Sequence, residues 1–255
     1  MNSLDDIANG KLSTVQLIAM NRHNALTIIA VALIFWGIGF LLWMQVGIDK
    51  AVLFHHNVLQ AGSLLIGVTQ TVTHYGMPLI TFIFLAHLLR AFRIGQWQDD
   101  YRIYLLIILS FAVGGIGGDL LKELFDRARP VIDYAGEIKG LSQSHSPSFP
   151  SGHATKSVAL ALPFLFFIKT KSSWHKGLKI LLALAAFGVC YSRVLLGRHY
   201  LSDVVAGIGM ALLGLPFAVM FSNRILSKLT NERLKDRVKV WGLLLFGLMV
   251  YFIIE

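Results

Sequence analysis

The sequence contains a single cysteine, Cys190, among its 255 residues. One cysteine cannot form a disulfide within the chain or supply a cysteine-based metal cluster. Because Cys190 lies in an apolar segment, we expect it to serve packing. Charged residues are also scarce, at 15% of the chain. Together with a mean hydropathy of +0.65, this scarcity excludes an ordinary soluble domain of the same size.

Apolar runs make up most of the chain, and hydrophobic residues account for 55% of it. A helix needs about 20 mostly apolar residues to cross a bilayer. We therefore predict an all-α, polytopic integral membrane bundle with six core transmembrane helices. The predicted spans are 25–46, 74–89, 104–121, 151–168, 181–196 and 201–221.

The two ends of the chain are predicted to lie outside this six-helix domain of residues 25–221. Residues 1–24 are polar and mixed in charge, which favours a cytoplasmic tail. Residues 222–255 combine a basic segment with a C-terminal hydrophobic helix. Its apolar part, 240–254, would be about 22 Å long. That length slightly favours a short seventh span over a helix at the interface.

The net charge of +9 could suggest a nucleic-acid partner. However, the Lys and Arg residues lie in connectors between the apolar runs, not in a stripe interleaved with aromatic residues. The positive-inside rule explains them better, so no nucleic-acid partner is expected. Because these basic connectors follow the second, fourth and sixth predicted spans, we expect them on the cytoplasmic side, together with the amino terminus.

Three polar clusters lie at span ends on the opposite, outer side. In chain order they are Lys122 to Pro130, Pro150 to His153, and Ser192 to Asp203. The second cluster is typical of a helix start, where the first N–H groups have no intrahelical partner and can bind an anion. His199 and Asp203 are four residues apart, so on a helix the carboxylate can bind one ring nitrogen. Fixed positive charge comes from three residues, Lys122, Arg129 and Arg193. These residue types suit phosphoryl transfer.

The order Lys-x6-Arg-Pro, Pro-Ser-Gly-His and Ser-Arg-x5-His-x3-Asp resembles the three signature motifs of the type 2 phosphatidic acid phosphatase (PAP2) superfamily, in its membrane lipid phosphatase branch. One such motif is weak, but three in order at span ends are specific. The resemblance implies that His199 is the nucleophile, that Asp203 fixes its tautomer and that His153 is the acid. The implied phosphate-binding residues are Lys122, Arg129, Ser151, Gly152, Ser192 and Arg193.

The resemblance also implies a function. It predicts a lipid phosphatase that needs no metal or other cofactor and forms a phosphohistidine. The substrate would be a membrane lipid phosphate or pyrophosphate held in the bilayer, of the undecaprenyl pyrophosphate, phosphatidylglycerol phosphate, phosphatidic acid or lipid A type. The expected location is a bacterial inner (plasma) membrane, with the site on the periplasmic or outer face. The sequence leaves the preferred lipid and the oligomeric state open.

The sequence also allows two other functions. A lipid phosphotransferase would use the same site with another acceptor. A membrane transporter is less favoured, because its ionisable residues are expected near mid-bilayer on interrupted helices. Here they cluster at span ends.

Residues beside the motifs carry further expectations. The glycines of 114–118 sit inside an apolar run, which favours close helix packing over a phosphate-binding loop. Asp119 is expected to pair with Lys122, three residues on. Arg127 and Arg198 are expected to meet solvent or lipid phosphate more than substrate.

Two polar connectors complete the predictions. Residues 47–73 are expected to lie along the membrane interface. Within them, His55 and His56 are interpreted as polar lining in preference to metal ligands, since no carboxylate lies nearby in the sequence. Residues 131–149 lie directly over the predicted site and are expected to shape headgroup access.

Overall fold

The computed structural model describes residues 18–57, 63–93, 97–138, 146–168, 170, 172–229 and 231–254. Within these ranges the chain is helical, with one isolated β-bridge between Ala135 and Ile138 and no strand. The helices are α1 (Arg22–Met44), α2 (Val46–His56), α3 (Ser63–Arg93), α4 (Trp97–Phe125), α5 (Pro130–Asp133), α6 (Gly152–Phe167), α7 (Ser173–Leu195), α8 (Leu201–Leu226) and α9 (Asn231–Ile254).

Five of the described helices, α1, α3, α4, α7 and α8, are long and apolar enough to cross a membrane. The fourth predicted span corresponds to α6, which has only 16 residues and is mostly buried among its neighbours. The predicted seventh span belongs to α9, which has 24 residues and begins well before residue 240. The all-α membrane architecture is thus confirmed, while the count of six or seven spans stays a prediction.

The largest boundary error concerns α3. Residues 63–73 were expected along the interface, but they form the first three turns of this 31-residue helix. Their hydroxyls explain why a polar stretch can be helical: Thr69 and Thr71 donate to the carbonyls of Leu65 and Gly67, both at 2.8 Å. A threonine that bonds back into its own helix needs no water. The preceding residues 46–56 are also helical, as α2.

The helix α8 lies at the centre of the bundle and packs against α1, α4 and α6. Small residues allow this close packing. A Cβ on Gly114 of α4 would lie 3.2 Å from Ala159 of α6, and one on Gly117 would lie 2.2 Å from Met210 of α8. The prediction that the 114–118 glycines serve helix packing is confirmed.

The three motifs meet at one end of the bundle, here called the site end. The helix α4 ends there, α6 begins there, and the short connector from α7 to α8 crosses between them. Backbone bonds join the three parts: Ser148 N–H donates to Arg127 (2.7 Å) and Ser151 N–H donates to Asp203 (2.9 Å). The helices α3, α6 and α8 end at the other end of the bundle, where Arg90, Arg93, Arg224 and Lys228 lie.

Candidate active site

The turn between α7 and α8 fixes the third motif. Gly197 has a φ of +63°, a left-handed conformation that glycine adopts without strain. The turn allows the N–H groups of Arg198 and His199 to donate to the carbonyl of Arg193, at 3.0 and 3.2 Å. A five-residue connector therefore holds Arg193, His199 and Asp203 in one rigid unit.

The two ring nitrogens of His199 face different surroundings. Nδ1 lies 3.4 Å from Asp203 Oδ2 and 3.3 Å from Ser148 Oγ. Nε2 lies 3.3 Å from the Arg129 guanidinium. The distance to Asp203 is longer than an ordinary hydrogen bond, as is common before a substrate binds. The ring thus presents one nitrogen to a carboxylate and the other to the cationic side of the site.

Asp203 is fully buried and accepts several hydrogen bonds. Oδ2 accepts from the Tyr200 N–H (2.8 Å) and from the Ser148 hydroxyl (2.5 Å). Oδ1 accepts from Arg127 at 2.6 Å. Since donors on both oxygens satisfy the buried charge, the carboxylate is held in one orientation beside His199.

The position of Arg127 corrects the prediction that it meets solvent or lipid. Its side chain is only 8% exposed and lies between the rings of Trp43 and Tyr200, with its guanidinium carbon 5.0 and 4.0 Å from the ring centres. One arm binds Asp203 and the other binds Asp49 of α2 at 3.0 Å. Arg127 is therefore a buried bridge between two carboxylates.

Asp49 and Ser148 are site residues that sequence reasoning missed. Asp49 also accepts from the N–H of Ser202 (3.0 Å) and from its hydroxyl, which anchors α2 to the start of α8. The partners of Asp49 lie 78 and 153 residues away in the chain. A lone aspartate in an interface-like stretch gives no local signal of such contacts.

Arg129 ties the loop before α6 to the site. It donates to the carbonyl and the hydroxyl of Ser146, both at 2.8 Å, and to the carbonyl of Arg198 at 3.2 Å. The same loop is anchored by Phe149, which is fully buried and packs against the rings of Trp43 and Phe125, with centroids 4.9 and 5.1 Å away. The loop is thus held by the hydrogen bonds of Ser146 and by the aromatic packing of Phe149.

A cavity of about 520 Å³ opens beside His199. Six predicted site residues line it: Lys122, Arg129, Gly152, His153, Arg193 and His199. Further lining residues that the sequence did not single out include Gln70, Thr73, His74, Met77, Lys156 and Phe252. The structure therefore brings residues of all three motifs to one cavity.

Two predicted phosphate ligands lie behind the cavity wall. The Ser151 hydroxyl caps α6 by accepting from the Ala154 N–H at 3.5 Å, and the Ser192 hydroxyl donates to the carbonyl of Val189 at 2.7 Å. Both residues are buried and neither is among the cavity-lining residues. Arg198, expected at solvent or lipid, does line the cavity.

The cavity is strongly cationic. Lys122 and Lys156 share a single carboxylate, Asp119, at 3.4 and 3.6 Å, which confirms the predicted pair of Asp119 with Lys122. Burial, followed by the positive charges of Arg129, Arg193 and Lys122, holds the pKa of His199 well below its ordinary value. Its imidazole is therefore neutral at neutral pH, the form that carries a lone pair.

The remaining histidine predictions concern α2. His56 Nδ1 lies 2.9 Å from the Tyr191 hydroxyl, and His55 packs edge-on against His56. Within the described ranges, no group of three or more His, Cys, Asp or Glu residues could hold a metal ion. Part of the 131–149 connector, residues 139–145, lies outside the described residues, so its expected effect on headgroup access stays a prediction.

Comparisons with known proteins agree with the motifs. The chain is 35% identical over 114 residues to phosphatidylglycerophosphatase B of Bacillus subtilis (strain 168), covering 43% of this chain and 53% of the relative. It is 26% identical over 149 residues to a putative undecaprenyl-diphosphatase of Escherichia coli (strain K12), covering 58% and 69%. The match thus spans about half the length of the first relative.

A solved structure is similar over a larger part of the chain. It is the crystal structure of a transmembrane PAP2-type phosphatidylglycerolphosphate phosphatase from Bacillus subtilis, with a TM-score of 0.57 and 27% identity. The similarity covers 79% of this chain and 96% of that one, and with the apolar helices it identifies an integral membrane protein. Residues 103–226, which contain all three motifs, match the family model of the PAP2 superfamily, so this part of the chain belongs to that superfamily.

Proposed function

We propose that this protein is a membrane lipid phosphatase that hydrolyses a lipid phosphomonoester or pyrophosphate through a phosphohistidine at His199. The observation that carries the proposal is the position of the His199 ring. Nδ1 faces the buried carboxylate of Asp203, while Nε2 faces Arg129 in a cationic cavity. This is the arrangement that a nitrogen nucleophile needs for attack on a bound phosphate.

In the first step, the lone pair of His199 Nε2 forms a bond to phosphorus and the bond from phosphorus to the lipid oxygen breaks. His153, on the facing helix α6, is favoured in its protonated form by the anionic phosphate bound beside it and gives its proton to that oxygen, so the lipid leaves as an alcohol or, from a pyrophosphate, as a monophosphate. The charge on the transferring oxygens is stabilised by Lys122, Arg129 and Arg193.

In the second step, neutral His153 takes a proton from a water molecule as the water oxygen attacks phosphorus. The bond between nitrogen and phosphorus breaks and its electron pair returns to Nε2 of His199. Inorganic phosphate leaves, and His153 is again protonated for the next cycle. Asp203 accepts the Nδ1–H throughout and stabilises the positive charge on the ring while it carries the phosphoryl group.

The helix N-terminus at Gly152 supplements the cations. Gly152 lines the cavity, and as the first residue of α6 it has an N–H without an intrahelical partner. The hydroxyls of Ser151 and Ser192 are engaged in local bonds. We therefore assign them to positioning this helix start and Arg193, and assign the phosphate contacts to the backbone and the cations.

The site end is proposed to face the outer side of the membrane. The support is charge asymmetry: the basic residues Arg90, Arg93, Arg224 and Lys228 lie at the opposite end, and basic residues that flank membrane spans stay in the cytoplasm. The phosphate would then be presented at the outer interface while the lipid chains remain in the bilayer. The candidate substrates are the lipid types named above. The cationic cavity suits the headgroups of lipid monophosphates and lipid diphosphates alike.

The test is phosphate release by purified protein in detergent with excess chelator. The panel comprises undecaprenyl pyrophosphate, phosphatidylglycerol phosphate, phosphatidic acid, diacylglycerol pyrophosphate and lipid A 1-phosphate. We expect release that His199→Ala abolishes and that His55→Ala, an exposed histidine outside the cavity, preserves. An active His199→Ala variant would refute the nucleophile, and strict dependence on a divalent ion would refute the metal-free mechanism. Transfer of phosphate to a second lipid without release would point to a phosphotransferase.

A further inference from the structure

The helix α9 lies outside the residues that match the PAP2 family, yet it contributes to the cavity. It packs along α3 and also touches α4, whereas α3 and α4 contact each other only sparsely. A Cβ on Gly242 of α9 would lie 2.8 Å from Leu88 of α3, so the two helices approach closely. This helix therefore fills the space between α3 and α4.

The buried face of α9 ends at the cavity. Its buried residues recur every three, four or seven positions, as expected for one face of a packed helix: Leu234, Val238, Trp241, Leu245 and Phe252. Phe252 lines the cavity beside Met77 of α3. Its ring packs edge-on against Phe111 of α4, with centroids 5.5 Å apart.

The position of Phe111 gives the depth of this contact. Phe111 precedes Lys122 by 11 residues on α4, which is about 16 Å along a helix. The cavity thus extends from cations near the site end toward an apolar floor formed by Met77 and Phe252. A phosphate at the cations would have its first lipid carbons directed toward this floor, because apolar surface there favours hydrocarbon over water.

We propose that Phe252 is a specificity-determining residue, whose ring limits how much hydrocarbon fits in the deep part of the cavity, away from the phosphate. The inference rests on the proposed function. One hydrocarbon chain fits beside the ring, whereas the second chain of a two-chain glycerolipid meets it. Replacing the ring by a smaller side chain opens the floor between Met77 and Phe111, and a larger ring closes it further.

The test compares three phosphates in the same detergent: para-nitrophenyl phosphate, oleoyl lysophosphatidic acid and dioleoyl phosphatidic acid. We expect Phe252→Ala to raise kcat/KM for the two-chain over the one-chain lipid by about 10-fold, and Phe252→Trp to lower that ratio. The rate on para-nitrophenyl phosphate, which has no chain, should be unchanged. Phe246→Ala is the matched control, because Phe246 lies on the same helix but is 48% exposed. An unchanged ratio, or an equal change on all three substrates, would overturn the inference.

A second measurement does not depend on turnover or on deletion of the ring. In a His199→Ala background, the thiol introduced by Phe252→Cys should react with N-ethylmaleimide more slowly when dioleoyl phosphatidic acid is present, and inorganic phosphate should not protect it. The native Cys190 is buried and gives little background. A thiol introduced by Phe246→Cys should gain no such protection. Equal protection at both positions, or none at 252, would refute the inference, whereas absent hydrolysis by the wild type with protection at 252 would refute only the proposed function.

Discussion

Two groups of side chains at the cavity are built differently. The first, called the nucleophile wall, is a buried set around the proposed nucleophile His199: Asp203 contacts His199, Ser148 and Arg127, and Arg127 also binds Asp49. The second, called the cation wall, consists of Lys122, Lys156 and Arg198, which line the cavity. Both lysines pair with Asp119, whose side chain is 52% exposed. Among the described residues, the Nε of Arg198 has no hydrogen-bond partner.

The two groups therefore supply different things: the nucleophile wall supplies a fixed geometry, and the cation wall supplies positive charge. A nucleophile must point at the phosphorus atom. A set of buried, hydrogen-bonded groups fixes this orientation beforehand, so little free energy is needed to orient the nucleophile when substrate binds. Phosphate oxygens need positive charge nearby more than they need one fixed approach direction. Long side chains that keep some conformational freedom can therefore bind them. We infer that the nucleophile wall determines the rate of chemistry and the cation wall determines affinity for the headgroup.

The largest effect is predicted for the substitution of Arg127, which disrupts the nucleophile wall. In Arg127→Gln, Asp203 and Asp49 lose the charge that bridges them, and the carboxylate is no longer held beside His199. We expect kcat to fall about 10²-fold, as for a catalytic group displaced by about 1 Å. The free energy of unfolding should fall by about 3–5 kcal/mol, because a buried pair is broken on one side. Steady-state kinetics and thermal unfolding measure the two effects.

Arg127→Lys is the matched control for this prediction. It keeps the positive charge but not the planar fork that reaches both carboxylates. Its kcat should lie between those of the wild type and Arg127→Gln, with KM little changed in both variants. A kcat equal to the wild type in Arg127→Gln, in protein that remains folded, would contradict the claim that this wall determines the rate.

The sequence predicted the motif residues that line the cavity better than it predicted other features of the fold. Six of the cavity-lining residues could be named because the motifs carry them within short stretches at span ends, where residue type and spacing are visible. The pairing of His199 with Asp203 followed from a separation of four residues, and that of Lys122 with Asp119 from a separation of three. Local spacing is enough for such contacts.

The rest depended on distant contacts. The bridge from Arg127 to Asp49 joins residues 78 apart, and Phe252 reaches the cavity from a helix after the last motif. The start of α3 was missed for another reason: Thr69 and Thr71 reduce its hydropathy, but their hydroxyls bond within the helix. Neither kind of information is present in hydropathy or motif spacing, because both depend on which groups the folded chain brings together.

A smaller effect is predicted for the cation wall. Arg198→Gln should raise KM for a lipid phosphate about 10-fold, as expected for the loss of one charged hydrogen bond, and should leave kcat nearly unchanged. Arg93→Gln, an exposed arginine at the opposite end of the bundle, is the control and should behave as the wild type. A fall in kcat with constant KM would mean that Arg198 acts in the chemical step, which would remove the distinction between the two walls.

The smallest predicted effect is a shift in the pH dependence of activity, because the charge of Lys122 in the cation wall acts on His199 in the nucleophile wall. His199, the proposed nucleophile, could attack only when neutral, and burial together with Arg129, Arg193 and Lys122 holds its pKa well below the ordinary value. The acid limb of kcat/KM, which reports groups of the free enzyme, should therefore lie below the ordinary histidine pKa of about 6.5. Lys122→Gln removes one positive neighbour, so protonation of the ring becomes less unfavourable and the limb should move to higher pH. Lys228→Gln, at the opposite end, should leave the limb in place. An acid limb that stays in place in Lys122→Gln would mean that the titrating group does not sense the charge of Lys122, and His199 would then not be the group that sets the limb.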